Sequence, residues 1–211
     1  MIWKPAELDE QQRYSAIMRA IVPRPIVLIT TIAADGVANA APFSSCAPIG
    51  HNPPTFCFSA GLRKGFPKDT VNNIRATRCF VVNSVMESML DEVLITAREF
   101  PPEIDEMKEA KLTALSSTMI AAPRIEESPF NMECRLLHEI AIGETHNLFI
   151  GEALCFHVKE EILANDGRID VHEFPALGRL SGDYYCRTGD HIMRNATWGA
   201  GGATVNNSTK I

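Results

Sequence analysis

Lys68, Asp69 and Thr70 stand where a helix is expected to begin, and Asn73 follows one turn later on the same side. A helix start carries backbone N–H groups without intrahelical partners and the positive end of the helix dipole, so it attracts an oxyanion. The lysine adds charge and the threonine a hydroxyl donor. Arg63 and Lys64 lie upstream in the same loop. Asp69 is expected to turn inward as the N-cap, since an outward carboxylate would repel a phosphate. The same residues also read as an ordinary capped helix with solvated basic neighbours.

A second group runs from Asn39 through Ala41, Pro42, Ser44 and Ser45 to Cys46. Proline has no N–H to donate, so strand pairing is expected to stop there and leave the backbone beyond it free to face a ligand. Alanines permit close approach, and the two serines offer hydroxyls and amides. Such donors could read the edge carbonyls of a planar heterocycle. The bland alternative is a serine-rich passage from strand to loop.

Other chemistries find little support. No GxGxxG follows a strand, and no Walker-type lysine is present. His138-Glu139 lacks a second histidine four residues on. Ser181, in GRLSG, does not form a nucleophile elbow. The six histidines are dispersed, and no metal site is expected.

These residues need elements to hold them. Residues 11–20 read as a short helix. Ile26 to Ile32 is an apolar, β-branched run that fits a strand buried on both faces. Asp35-Gly36 signals a two-residue hairpin turn, with a return strand to Phe43. Thr55 to Ala60 alternates, placing Phe56 and Phe58 on one face and Thr55, Cys57 and Ser59 on the other. A helix from Asp69 to about Thr77 precedes a strand over Cys79 to Val85. Residues 86–112 have helical spacing split by two prolines, which predicts a two-helix insertion outside the sheet. Met132 to Leu136 and Glu152 to Val158 alternate as half-buried antiparallel strands, with Leu154, Phe156 and Val158 on one face. Asp166-Gly167 marks another tight turn. From residue 193 to 211 the chain is rich in Gly, Asn, Thr and Ala, and is expected to be a flexible or partner-draped tail. Short strands with helices at the margins predict a mainly β fold, a closed or nearly closed antiparallel barrel, in one domain over residues 1–192.

Composition narrows the classes. The 211 residues are 45% hydrophobic and 22% charged, ordinary for a globular chain. A net charge of −6 argues against nucleic-acid binding and requires that any anion be held by local donors. No apolar run is long enough for a membrane span, and the N-terminus lacks a secretion signal. The six cysteines are scattered without a CxxC pair and are expected to be reduced thiols, which points to the cytoplasm.

The ordered fragments RPIVLITT, DG, NAAPFS, PP, FS and KDT-x-x-N resemble the flavin reductase-like, FMN-binding split-barrel family. Its members include flavoredoxin-like proteins and the reductase partners of two-component flavin monooxygenases. The resemblance covers roughly residues 10–185 and extends to Pro123-Arg124, Glu127-Ser128-Pro129, Glu133-Cys134 and Ile150-Gly151-Glu152. It implies a six-stranded antiparallel split β-barrel with peripheral helices, a homodimer, and FMN near the subunit boundary. Carried over, Thr30 and Thr31 would end the first stave beside the flavin. Asn39, Ala41, Pro42, Ser44, Ser45 and Cys46 would line the isoalloxazine and ribityl chain, and Ser59 the ribityl or phosphate. Lys68, Thr70 and Asn73, behind the Asp69 cap, would hold the phosphate, aided by Arg24 or Lys64. Asn83 is a weaker candidate, and His51, Arg179 and Tyr184 are candidates for placing the second substrate. The implied activity is NAD(P)H-dependent reduction of FMN, with FAD a further substrate and a flavin-dependent monooxygenase or redox protein as partner. The alternative is a non-enzymatic FMN electron carrier of flavoredoxin type.

Overall fold

The structure, a computed structural model, describes residues 1–192; the expected tail over 193–211 lies outside them. In chain order the strands are β1 (Arg24–Pro25), β2 (Val27–Ile32), β3 (Ala38–Phe43), β4 (Cys46–His51), β5 (Pro54–Gly61), β6 (Cys79–Ser84), β7 (Ala114–Leu115), β8 (Arg124–Ile125), β9 (Phe130–Ile142), β10 (His146–Val158), β11 (Leu177–Arg179) and β12 (Tyr185–Arg187). The helices are α1 (Glu10–Ala20), α2 (Asp69–Thr77), α3 (Leu90–Thr96) and α4 (Glu106–Glu109).

Seven strands form the main antiparallel sheet in the order β3-β2-β6-β9-β10-β5-β4, one more than the six expected. The uncounted strand is β4. Pairing does not stop at Pro42, which lies opposite Leu28 within β3. A proline is tolerated there because β3 is an edge strand of this sheet and one side of its backbone needs no partner. The chain resumes pairing at Cys46, opposite Phe58. The two outermost strands, β3 and β4, are joined only by Ser44 and Ser45. Two residues span little distance, so the sheet must curl until its edges meet at that corner. This is the split barrel, and the corner is its seam.

Side-chain alternation sends β2 into two cores. Val27 and Ile29 point into the barrel with Phe43, Phe58, Phe80 and Phe149. Leu28 points outward against Val85, Met89, Val93, Met107 and Ile125. The helical insertion therefore covers the outside of the barrel wall, and β2 reads as continuous burial. Phe58 is fully buried, stacked on Phe149 at 5.2 Å between ring centroids and edge-on to Phe80 at 5.3 Å. Each such ring contributes about 1.5–3 kcal/mol by burial. The alanines of β3 admit α3 and α4 closely. A short hairpin, β7–β8, covers a third cluster around Cys79, Val81 and Ala122.

Several local expectations are corrected. Both Asp-Gly turns are three-residue loops rather than two. Ala33 N–H still bonds Val37 O at 2.8 Å, and Ala164 N–H bonds Arg168 O at 2.8 Å. Gly36 and Gly167, at φ of 90° and 79°, supply the left-handed residue that closes each loop. Strands β9 and β10 each run 13 residues, well beyond the alternating stretches, because their far ends leave the barrel and expose Ile140 and Ile142. Asp69 is the first helical residue of α2, not its cap. Lys68 occupies the N-cap position and makes no side-chain capping bond.

Candidate functional site

A cleft of about 460 Å³ opens beside the barrel seam. Its wall is Ala41, Pro42, Phe43 and Ser44, the end of β3 and the start of the corner. Four cations face it: Arg24, Arg63, Lys68 and Arg179. None of them forms an ion pair with a carboxylate among the described residues. In a chain of net charge −6, four cations around one cleft without a carboxylate partner make it the candidate site for an anion.

Each cation is placed by a different element. Lys68 begins α2 and lies over the Phe43 ring at 5.4 Å. Burial, and then the nearby Arg63, lower its pKa. Arg63 sits in a tight loop closed by reciprocal backbone bonds with Phe66. Arg24, in β1, donates to the carbonyls of Met18 and Leu180, tying α1 to the C-terminal segment. Its Nε is buried without a hydrogen-bond partner. Arg179, in β11, is braced by the Tyr185 hydroxyl and the Gly182 carbonyl, and its guanidinium lies 4.5 Å from the Tyr185 ring centroid. An orphaned guanidinium nitrogen, an uncapped helix start and a wall of small side chains fit a phosphate-bearing planar ligand such as FMN.

The remaining predicted residues separate into groups. Thr31, Asn39, Thr70 and Asn73 are buried together behind the cleft and bond one another. The Asn39 amide lies 3.2 Å from the Thr31 hydroxyl and 3.1 Å from that of Thr70. Turned so that its nitrogen meets Glu106 Oε1 at 3.3 Å, its oxygen accepts from both hydroxyls and from Ala40 N–H. Thr30 points to the outer face, where its hydroxyl donates to Pro123 O at 2.5 Å. Asn83 donates to Leu28 O and Thr30 Oγ1 and accepts from Ile125 N–H and Asn131, so it locks four strands together. Ser44 faces the cleft, whereas Ser45 O accepts Ser59 N–H at 2.8 Å. Cys46 packs under the corner, with burial and then Cys57 pushing its thiol up to about 12. Lys64 pairs with Glu99 at 3.0 Å, leaving Arg63 to face the cleft. His51 and Tyr184 are exposed and lie outside the cleft lining.

Glu106 was missed. It is buried, bonds Ala40 N–H at 3.4 Å, and closes the polar network behind α2. Burial pushes its carboxyl up to about 7, with Asp69 and Asp105 adding to the effect. In the sequence it is one acid among several in EIDEMKEAKL, and no spacing singles it out. Ser181, read in the sequence only as a rejected nucleophile, and Gly182 line the far side of the cleft; no local signal ties them to Lys68, more than a hundred residues away.

Three comparisons extend this geometry. An uncharacterized protein of Aquifex aeolicus is 38% identical over 182 residues, covering 86% of this chain and 92% of that one. The crystal structure of nitrilotriacetate monooxygenase component B from Bacillus cereus superposes with a TM-score of 0.88 at 32% identity, over 92% of this chain and 98% of that one. That of 2-nitrobenzoate 2-nitroreductase NbaA from Pseudomonas fluorescens gives 0.87 at 30% identity, over 97% and 100%. Residues 18–177 match the flavin reductase like domain, and the chain belongs to that family.

Proposed function

We propose that this protein is an NAD(P)H-dependent flavin reductase that holds FMN in the seam cleft, with FAD as a further substrate. The observation that carries the reading is the convergence of four cations, without a carboxylate partner among the described residues, on a cleft walled by Ala41 and Pro42. A bound flavin would supply the redox chemistry. The chain's own residues bind and orient. Arg63, Lys68 and the first amides of α2 would hold the phosphate. Ala41 and Pro42 give the ring a close, flat seat, and Ser44 offers it a donor. The buried network of Asn39, Thr31, Thr70, Asn73 and Glu106 fixes β3 against α2, so both halves of the site keep their spacing. Hydride transfer needs stacking and exclusion of water rather than a catalytic acid. Tyr14 and Met18, on the cleft rim, supply apolar cover.

The relative named as component B of a monooxygenase supports a role in supplying reduced flavin to an oxygenase partner. A homodimer fits the exposed apolar residues Trp3, Ile17 and Ile21 in and around α1. No helix among the described residues is long and apolar enough to cross a membrane, and a cytoplasmic location fits the six cysteines, none of which forms a disulfide.

The test is rapid mixing of the FMN-loaded protein with NADH or NADPH while flavin absorbance is followed. Bleaching within the dead time to seconds is expected with at least one of them. Failure of both would leave the second reading, a flavin electron carrier that takes its electrons from a protein partner.

A further inference from the structure

Away from the cleft, three metal-ligating side chains meet on the outer face of the barrel. Glu133 lies on β9 between Met132 and Cys134, both of which point into the barrel core. By alternation Glu133 points outward, yet it is completely buried. The loop between β7 and β8 covers it: Thr118 N–H donates to Oε1 and Met119 N–H to Oε2, each at 2.7 Å.

Strand β10 delivers the other two groups through a register slip. Ala153 pairs with Cys134 and packs in the barrel core. The next pair is Cys155 with Glu133, which leaves Leu154 as a bulge. In an unbroken strand, residues 153, 155 and 157 would all face inward. The extra residue reverses the phase and turns Cys155 and His157 out beside Glu133. Cys155 Sγ then lies 3.5 Å from His157 Nε2, which lies 2.6 Å from Glu133 Oε1. The three ligand atoms are all within 4.8 Å of one another.

We infer that Glu133, Cys155 and His157 form a site for a divalent transition metal, Zn²⁺ by its ligand chemistry. Thiolate, imidazole and carboxylate are the three zinc ligand types, and three protein ligands leave a fourth position for water. Zinc–sulfur and zinc–nitrogen bonds at a tetrahedral angle put the two ligand atoms about 3.5 Å apart, the spacing found here. The Nε2 to Oε1 distance is that of a hydrogen bond, and opens by under about 1 Å when a metal replaces the ring proton. The two loop amides are the outer partners that orient the carboxylate. An open groove past Arg124, Asn131, Phe156 and Lys159 reaches His157 and gives a way in. Metal binding would clamp the β7–β8 loop onto the sheet.

The full-length protein, reduced and stripped with chelator, is titrated with Zn²⁺ by calorimetry and with Co²⁺ by absorbance. One equivalent is expected, with a thiolate-to-cobalt charge-transfer band. Cys155→Ser should abolish the band, and both it and His157→Gln should weaken binding at least tenfold, with unchanged far-UV circular dichroism. His172→Ala is the control, because His172 and His191 meet at the surface with Nδ1 atoms 3.0 Å apart. The inference is overturned if no stoichiometric binding occurs, if Cys155→Ser leaves isotherm and band unchanged, or if binding disappears in His172→Ala instead.

Discussion

The seam cleft and the outer-face cluster use opposite electrostatic strategies. The cleft gathers Arg24, Arg63, Lys68 and Arg179 without a compensating carboxylate and leaves Arg24 Nε unsatisfied. Around Glu133 the carboxylate is fully answered: both of its oxygens accept amides, and His157 adds a third bond. An unanswered set of charges is poised for a ligand from outside. An answered set holds the fold together, and exchanges a proton for a metal only if one is supplied. The two regions should therefore fail differently when mutated, one in affinity and the other in stability.

The largest expected effect is on the second region. Glu133→Ala strands two buried amides and the His157 ring, and should lower unfolding free energy by about 2–4 kcal/mol in urea titration. Flavin affinity of the folded fraction should hold. A drop in flavin affinity at unchanged stability would erase the distinction between the two regions.

Glu106 tests the scaffold behind the cleft. Its carboxyl is pushed from the ordinary 4.5 to about 7 in the folded chain. Between those values the folded state keeps a proton that the unfolded chain has lost, so stability falls as pH rises through this window and levels off above it. Glu106→Gln should flatten that slope, a difference on the order of 1–3 kcal/mol at pH 8 relative to pH 4.5. Parallel stability–pH curves for the two proteins would show that Glu106 is solvated rather than held in the network.

Lys68→Ala sharpens the comparison from the cleft side. It should weaken FMN by about 1–3 kcal/mol, one charge-assisted hydrogen bond, while riboflavin binding and thermal stability stay level. Equal losses for both flavins would remove Lys68 from the phosphate. The smallest effect is expected for Ser44→Val at the half-buried corner. Flavin titration should show a several-fold weaker complex, with stability changed by about 0.5 kcal/mol or less. A large stability loss with normal flavin affinity would make Ser44 a packing residue.

Local chemistry was legible wherever it was carried by neighbours in the chain. The β2 run, the alternation of β5, the helix opening at Lys68 and the alanine–proline–serine wall all follow from residue types a few positions apart. Asp69 shows the limit: its type suits a cap, but the helix begins one residue earlier and Lys68 takes the position. Pro42 shows another, since an edge strand tolerates a proline that an inner strand would reject.

Sequence alone determined the barrel's strand periodicities and the anion-attracting helix start, because both depend on interactions within a few residues. Tertiary structure alone decided that Arg24 and Arg179 join Lys68 around one cleft, because β1 pairs with β11, a strand more than 150 residues away, beside the seam. It also decided that Cys155 faces Glu133. Strand phase depends on where a single bulge falls, and a bulge is set by pairing with a partner strand rather than by the residues that form it.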